Sequence, residues 1–173
     1  QGAAVEGQYQ NTATVWGVAP TGRPVSATAT SHYFGAAPGI DVKKAVSSDG
    51  VMWRDADDEG GALELSAGDP VWWRVTITNT GNVSLTLTVE YTRYGEPFDL
   101  ATVCDPDPPE ELAAGAVYDC WFEEPEGALD GVGRNAVSVA AGFAGIWSDA
   151  AEDAAVYVTA SYRVYLPLVV RQE

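Results

Sequence analysis

Between residues 69 and 94 the chain alternates between apolar and polar positions with a period of two. Val71, Trp73, Val75 and Ile77 fall on one side of an extended strand, and Trp72, Arg74, Thr76 and Thr78 fall on the other. After the turn residues Asn79-Thr80-Gly81-Asn82 the alternation resumes, with Val83, Leu85, Leu87, Val89 and Tyr91 opposite Ser84, Thr86, Thr88, Glu90 and Thr92. A helix would scatter these apolar residues around its circumference. Two half-buried strands, rich in β-branched and aromatic residues, are predicted instead.

The same pattern predicts strands over 7–18, 25–34, 40–46, 116–122 and 135–143, and one long or broken strand over 154–170. Val51-Met52-Trp53 reads as a short strand, and Leu63 and Leu65 alternate into the turn before the central pair. Prolines at 97, 106, 108 and 109 force the stretch 95–109 into loop or edge. Residues 110–115 read as a short helical turn, and no stretch carries a convincing amphipathic helix. The expected fold is all-β: an Ig-like Greek-key sandwich over residues 38–160, preceded by a β-hairpin within 1–36 and followed by a C-terminal strand in 161–173.

The two ends of the chain match each other without a gap. Gly7 meets Gly131, Asn11 meets Asn135, Val15 meets Val139 and Tyr33 meets Tyr157, always 124 positions apart. This reads as an internal repeat, in which 11–18 corresponds to 135–142 and 25–34 to 149–158. Residues 1–36 then look like the last two strands of a preceding domain. The same offset carries Ile40 to Val164 and Val42 to Leu166, so the first strand of the complete domain has its counterpart in the tail YRVYLPLVV.

The stretch GDPVWWRVTITNTGNVSLTLTVE resembles the middle of the "conserved repeat" Ig-like domains found in tandem on large bacterial surface and secreted proteins. The resemblance extends upstream to PGIDVKKAVSSDGVMWRDADDEGGALELSAGD and downstream through Cys104, LAAGAVYDC and GVGRNAVSVAA, covering about residues 38–157. Its most specific part is the NTGN turn with its flanking strands. It implies a spacer or binding module, not an enzyme, and names no ligand. In that family a similar cysteine pair brackets an LxxG segment, here residues 112–115. The tail is also similar to the YLPLV-type endings of some bacterial exported proteins, which makes Glu173 the expected natural C-terminus.

Composition narrows the function classes. Twenty-five Asp and Glu against nine Lys and Arg give a net charge of −16, which argues against phosphate-rich partners such as nucleic acid. The bland reading of this charge is solubility in a salty exterior. No apolar run approaches the ~20 residues of a membrane span. The chain starts at Gln1 without a charged-then-apolar leader, so an export signal is expected to have been removed or left out. An extracellular, cell-surface or secreted location follows.

Cys104 and Cys120 are the only cysteines, and an exported chain with an even count pairs them. A metal pair or redox centre would need a CxxC or a nearby His, which are lacking. A structural disulfide over such a loop stabilises by about 3 kcal/mol on the chain-entropy model. Asp55-Ala56-Asp57-Asp58-Glu59-Gly60 has carboxylates at alternate positions ahead of a glycine. The twelfth position of an EF-hand loop would be Ser66, however, and flanking helices are absent. A solvated acidic turn is expected there, with a non-EF calcium site as the alternative; the acidic, proline-stiffened loop around Asp105, Asp107, Glu110 and Glu111 reads as solvated too.

His32 is the lone histidine, without a nucleophile elbow, and reads as a packed or surface residue. Nothing singles out a facing carboxylate pair for glycoside hydrolysis. No catalytic residue, cofactor site or metal site is assigned. Among six tryptophans, Trp73 belongs to the core, while Trp72 points outward and is expected to lie under the hairpin or a neighbouring subunit, with sugar stacking as the alternative. Asn82-Val83-Ser84 is a lone glycosylation sequon.

The function expected is structural and non-enzymatic: a subunit of a surface filament or stalk, assembled head to tail from copies of itself by strand complementation. An isolated hairpin lacks a second layer to cover Ala13, Val15 and Trp16. The tail has apolar residues on both faces: Val164, Leu166, Leu168 and Val170 on one, Tyr165 and Val169 on the other. These residues and Trp72 form the expected subunit interface. The alternative is an adhesin or carbohydrate-binding module, with a glycan as partner.

Overall fold

In the computed structural model, residues 4–160 are described. The alternation seen in the sequence sets the layers. Strand β5 (Trp72–Asn79) buries Trp73, Val75 and Ile77 completely and leaves the residues between them half-buried. It is flanked by β3 (Ile40–Ser47) and β9 (Val117–Glu123), which makes a three-stranded sheet ordered β3-β5-β9. Facing it is a sheet ordered β4-β11-β10-β6-β7, formed by β4 (Leu63–Leu65), β6 (Leu85–Arg93), β7 (Glu96–Pro97), β10 (Val132–Phe143) and β11 (Trp147–Thr159). A two-residue strand, β8 (Glu111–Leu112), adds to β6.

The chain changes sheets between β5 and β6 and again between β9 and β10, and β4 runs parallel to β11. This is the Greek-key connectivity of an Ig-like sandwich. The inner faces meet in a single core, where Trp73, Val75 and Ile77 from one sheet pack with Leu85, Tyr91, Val137, Val139 and Tyr157 from the other. Cys104, following a 3-10 turn over Leu100–Thr102, is disulfide-bonded to Cys120 on β9, with Cα atoms 5.7 Å apart. The bond ties the loop 95–109 to the core and fits an oxidising compartment. Among the described residues no helix is long and apolar enough to cross a membrane.

Local expectations differ from the structure in four places. Residues 51–53 are not a strand: Asp49 Oδ1 accepts the N–H groups of Val51 and Met52, curling the chain so that only Arg54 bridges to Val46. Residues 110–115 form no helical turn, because Leu112 pairs with Leu85 before a turn over 113–116. The last strand begins at Trp147, earlier than 154, and ends at Thr159. Residue 83 lies in the turn, and β6 starts at Leu85. The expected C-terminal strand falls in 161–173, outside the described residues.

The NTGN motif has a structural task. Asn79, fully buried, donates through its amide nitrogen to the carbonyls of Val83 and Leu112 and accepts from the Gly81 N–H. Asn82 accepts the Ala37 N–H through Oδ1 at 2.7 Å and donates to the Gly35 carbonyl at 3.0 Å. The linker therefore lies directly on the turn, and a Cβ on Gly81 would stand 2.5 Å from the Ala37 carbonyl oxygen.

Upstream of that linker, β1 (Gly7–Val18) and β2 (Pro24–Gly35) pair only with each other among the described residues. Their register pairs Gly7 with Gly35 and Ala13 with Ala29. Shifted by 124, the latter pair is Val137 with Asp153, which is the register of β10 and β11. The turns match as well: Gly22 N–H donates to the Ala19 carbonyl, and Ile146 N–H donates to the Phe143 carbonyl. So do the strand bases, where Tyr33 Oη accepts the Val5 N–H at 3.0 Å and Tyr157 Oη accepts the Leu129 N–H at 2.8 Å. The hairpins thus share register, turn length and a tyrosine anchor.

Their surroundings differ, and this gives a measurable contrast. Tyr157 is fully buried and also donates to Tyr94 Oη, so Tyr157→Phe should cost about 1–2 kcal/mol of unfolding free energy in denaturant titration. Tyr33 is anchored outside the sandwich, so Tyr33→Phe should leave that transition within about 0.5 kcal/mol. Equal losses in the two variants would show that the hairpin unfolds together with the sandwich.

Candidate interaction surface

The equivalence of the two hairpins identifies which face of β1–β2 is built to be covered. In β10 the residues turned into the core are Gly133, Asn135, Val137, Val139 and Ala141. Their counterparts in β1 are Tyr9, Asn11, Ala13, Val15 and Gly17. From β2 the matching face carries Ala27, Ala29, Ser31 and Tyr33. The opposite face is polar, with Gln10 beside His32, Thr12 beside Thr30, and the hydroxyls of Thr14 and Thr28 hydrogen-bonded at 3.2 Å. Val139 is completely buried, whereas its counterpart Val15 is 66 % exposed. Among the described residues the inward face is therefore present without the layer it packs against.

One substitution adapts this face to its exposure. A Cβ on Gly133 would lie 2.1 Å from the Tyr157 ring, so that ring rests directly on the glycine backbone. The matching residue in β1 is Tyr9, whose ring stacks on Tyr33 with centroids 5.0 Å apart. The pair covers part of the apolar surface that the hairpin cannot bury by folding.

Of the residues expected at an interface, Ala13 and Val15 share this inward face. Trp16, 77 % exposed, stands on the opposite one beside Ser26. The alternation of a strand separates them, so one partner surface does not cover all three. Val164, Tyr165, Leu166, Leu168, Val169 and Val170 lie outside the described residues. Trp72 is covered from within the domain: it packs against Trp121 at 5.7 Å, and Gly50 lies on its ring with a Cβ position 3.2 Å away. Neither the hairpin nor a second subunit is needed to shield it.

Beside Trp72, Arg74 sits over the Trp53 ring at 5.6 Å and donates twice to Asp119, at 2.7 and 2.9 Å. The Arg74 hydrogen bond, helped by one from Thr76, holds the Asp119 carboxyl below its ordinary range. Trp121 is 57 % exposed, so an aromatic and charged strip runs along the outer face of the three-stranded sheet. His32 is exposed. Both polar ends of the Asn82 side chain are engaged with the linker, which gives the sequon asparagine a structural task.

Sequence reasoning missed the least ordinary residue in the core. Lys44 is fully buried on β3, and among the described residues its Nζ has no hydrogen-bond partner. The ammonium instead lies over the Trp73 ring at 4.4 Å and near the Tyr91 ring at 5.2 Å. Burial drives its pKa well below the ordinary lysine value, and the negative charge of Asp153 offsets this only in part. The signal was legible: in Val42-Lys43-Lys44-Ala45-Val46, strand alternation puts Lys44 on the side of the two valines.

Asp153 on β11 accepts the Lys44 backbone N–H at 2.6 Å and the Ala154 N–H at 2.8 Å. Asp55 and Asp57 of the acidic turn approach it, the three carboxylates lying within 4.8 Å of one another. Sequence spacing gave no hint of this meeting across the fold. A hydrogen bond donated by the protonated Asp57 carboxyl to Asp55, then the charges of Asp55 and Asp153, raise the Asp57 pKa. These oxygens are of a type that could hold a hard cation, but those of Asp153 are already engaged by backbone N–H groups.

Two pH experiments test these environments. A raised carboxyl pKa is a folded-state penalty that is present at neutral pH and fades as pH falls through the folded pKa. Asp57→Asn should therefore raise the melting temperature at pH 7, with the gain shrinking in acid. A lowered lysine pKa acts through the same linkage: stability is lowest below the folded pKa and climbs with pH toward the ordinary value near 10 (about 10.4). Lys44→Met should flatten that climb in melts collected below about pH 10, where surface tyrosines remain neutral. An unchanged slope would mean that Lys44 keeps its charge in the fold. Compared with known proteins, the chain matches no family model and no curated sequence.

Proposed function

We propose that this chain is a structural, non-catalytic subunit of an extracellular filament or stalk, joined head to tail by β-strand complementation. The observation that carries this reading is the hairpin β1–β2. It has the register and anchors of β10–β11, yet its inward face is bare. A two-stranded hairpin is marginal in water unless a further layer covers it. The complete sandwich cannot offer that layer, because its own β10–β11 already fills the place. At the same offset the apolar Val164, Leu166 and Val170 of the tail match Ile40, Val42 and Val46 of β3. A neighbouring copy can thus supply the missing strand, with main-chain bonds for affinity and alternate side chains for register. A heterologous joint of this kind does not close on itself and propagates.

The disulfide, the acidic composition and the resemblance to surface-displayed tandem Ig-like repeats support an extracellular setting. The second reading, an adhesin or carbohydrate-binding module, is favoured by the exposed Trp121 ring of the Trp72–Trp121 strip, an aromatic surface of the kind on which a sugar stacks. The two are separated by electron microscopy and glycan arrays on the purified chain. Removing residues 165–173 should abolish fibres while the sandwich keeps its β-type circular dichroism. Fibres from the truncated chain would rule out tail complementation, and monomers that bind glycans through Trp121 would favour the second reading.

A further inference from the structure

The hairpin β1–β2 lacks neighbours at its edges as well as a layer on its face. In the sandwich, β10 pairs with β6 from Asn135 to Gly142, and β11 pairs with β4 from Tyr157 to Thr159. The counterparts, Asn11 to Val18 and Tyr33 to Gly35, have no strand beyond the hairpin among the described residues. The phase of the main chain agrees too. Ala19 N–H donates to the Arg23 carbonyl at the tip. By alternation the main-chain groups of Asn11, Ala13, Val15 and Gly17 then bond β2, and those of Gln10, Thr12, Thr14 and Trp16 face away from it. In β10 the Arg134 carbonyl, the counterpart of Gln10, accepts the Tyr94 N–H from the β6 side.

A long open edge is ordinarily blunted by charge, proline or a bulge. β1 has none of these: its 12 residues include no charged side chain and no proline, and its register with β2 is unbroken. Other edges differ, since β2 opens on Pro24 and β9, at the end of its sheet, carries Asp119 and Glu123. Charge is also segregated along the chain. Residues 7–40 hold no Asp or Glu, although the whole chain has 25. Two copies repel each other wherever their sandwiches meet, and the hairpin is the part that approaches another copy without that repulsion.

We propose that β1 pairs with β1 of a second copy, antiparallel about a two-fold axis at Ala13, so that two hairpins merge into one four-stranded sheet. The residues that exchange main-chain bonds are then Thr12 with Thr14 of the second copy, and Gln10 with its Trp16. On the inward face this register sets Ala13 against Ala13 and Tyr9 against Gly17. On the polar face it aligns Thr30, Thr12, Thr14 and Thr28 in one row, which continues the hydroxyl bond between Thr14 and Thr28. A lone hairpin is marginal in water, whereas a sheet of three or more strands with an apolar face is not. The contact is isologous and closes on itself, so it makes pairs of chains. It goes beyond the filament reading and does not depend on it. A strand in the place of β3 would cover the face of the hairpin, because β3 belongs to the opposite sheet, whereas the β1 edge corresponds to the place of β6.

Full-length Ala13→Cys tests this, since Cys104 and Cys120 are already bonded to each other. Facing residues of a non-hydrogen-bonded pair have Cα atoms about 4.5 Å apart, within reach of a disulfide. Mild oxidation should therefore give a covalent dimer on a gel run without reductant. Val15→Cys is the control on the same face: the two copies of residue 15 would lie ~13 Å apart along the strands, and should link at least tenfold less. Proline probes the edge itself. Added to Ala13→Cys, Thr12→Pro removes an N–H that faces the second copy and none that β2 uses, and should cut the cross-link about tenfold or more. Thr30→Pro disturbs the hairpin to the same extent from the β2 edge, and should leave the link within about twofold. No dimer from Ala13→Cys, equal linking at positions 13 and 15, or equal loss with the two prolines overturns the proposal. In the first case the edge is left to another strand, such as the chain's own tail. Electron microscopy of the same samples separates the two readings. Dimers without fibres keep this pairing and remove the filament, and fibres without the Ala13→Cys link do the reverse.

Discussion

A pair of β-strands joined by a tight turn has two faces and can bury neither by itself. The structure depends on how this constraint is met for two nearly identical hairpins. For β10–β11 the inward face is covered by the β3-β5-β9 sheet, and its edges are paired with β6 and β4. Val137, Val139 and Tyr157 are then fully buried or nearly so. Burying side chains of this size contributes on the order of 1.5–3 kcal/mol each. For β1–β2 the same register and the same tyrosine anchor recur, but the cover does not. The difference is visible in composition: Ala13 stands where the covered hairpin has Val137, and Tyr9 stacks on Tyr33 where Gly133 lets the Tyr157 ring approach the backbone.

The same constraint explains the most distinctive sequence motif. Asn79-Thr80-Gly81-Asn82 is a hairpin turn by composition, yet its side chains serve the crossing of another segment. Asn79 satisfies two carbonyls inside the domain, and Asn82 holds the two peptide groups on either side of Ala36 in the linker. Gly81 is a glycine because the linker backbone occupies the space of its side chain. Through these contacts the turn fixes where the hairpin leaves the sandwich.

Buried charge is the second theme. Lys44 has no hydrogen-bond partner for its amine and relies on aromatic faces and on the field of Asp153. A well-packed apolar residue would hold the core at least as firmly. Asp55 and Asp57 of the acidic turn lie beside Asp153 as well, and the crowding of these carboxylates raises the Asp57 pKa.

Local alternation determined most of the architecture. The period of two assigned the faces of β5 and β6 residue by residue, from Trp73 and Ile77 inward to Arg74 and Thr76 outward, because strand geometry leaves no other choice. The gapless repeat located both hairpins, and the even cysteine count gave the Cys104–Cys120 bond. What alternation could not reach was decided by contacts between distant segments. Residues 51–53 look like a strand, but the Asp49 carboxylate captures their N–H groups. Residues 110–115 carry helix formers, but the free edge of β6 takes Leu112 into a ladder. Trp72 points outward as its parity requires, yet Trp121 and Gly50 cover it, since neighbouring strands and turns fill whatever the pleat leaves open. Likewise parity put Lys44 in the core, while only the folded chain could bring Asp153, more than one hundred residues away, to its backbone. Sequence sets which way a side chain points; what it meets there depends on long-range packing, which local periodicity does not encode.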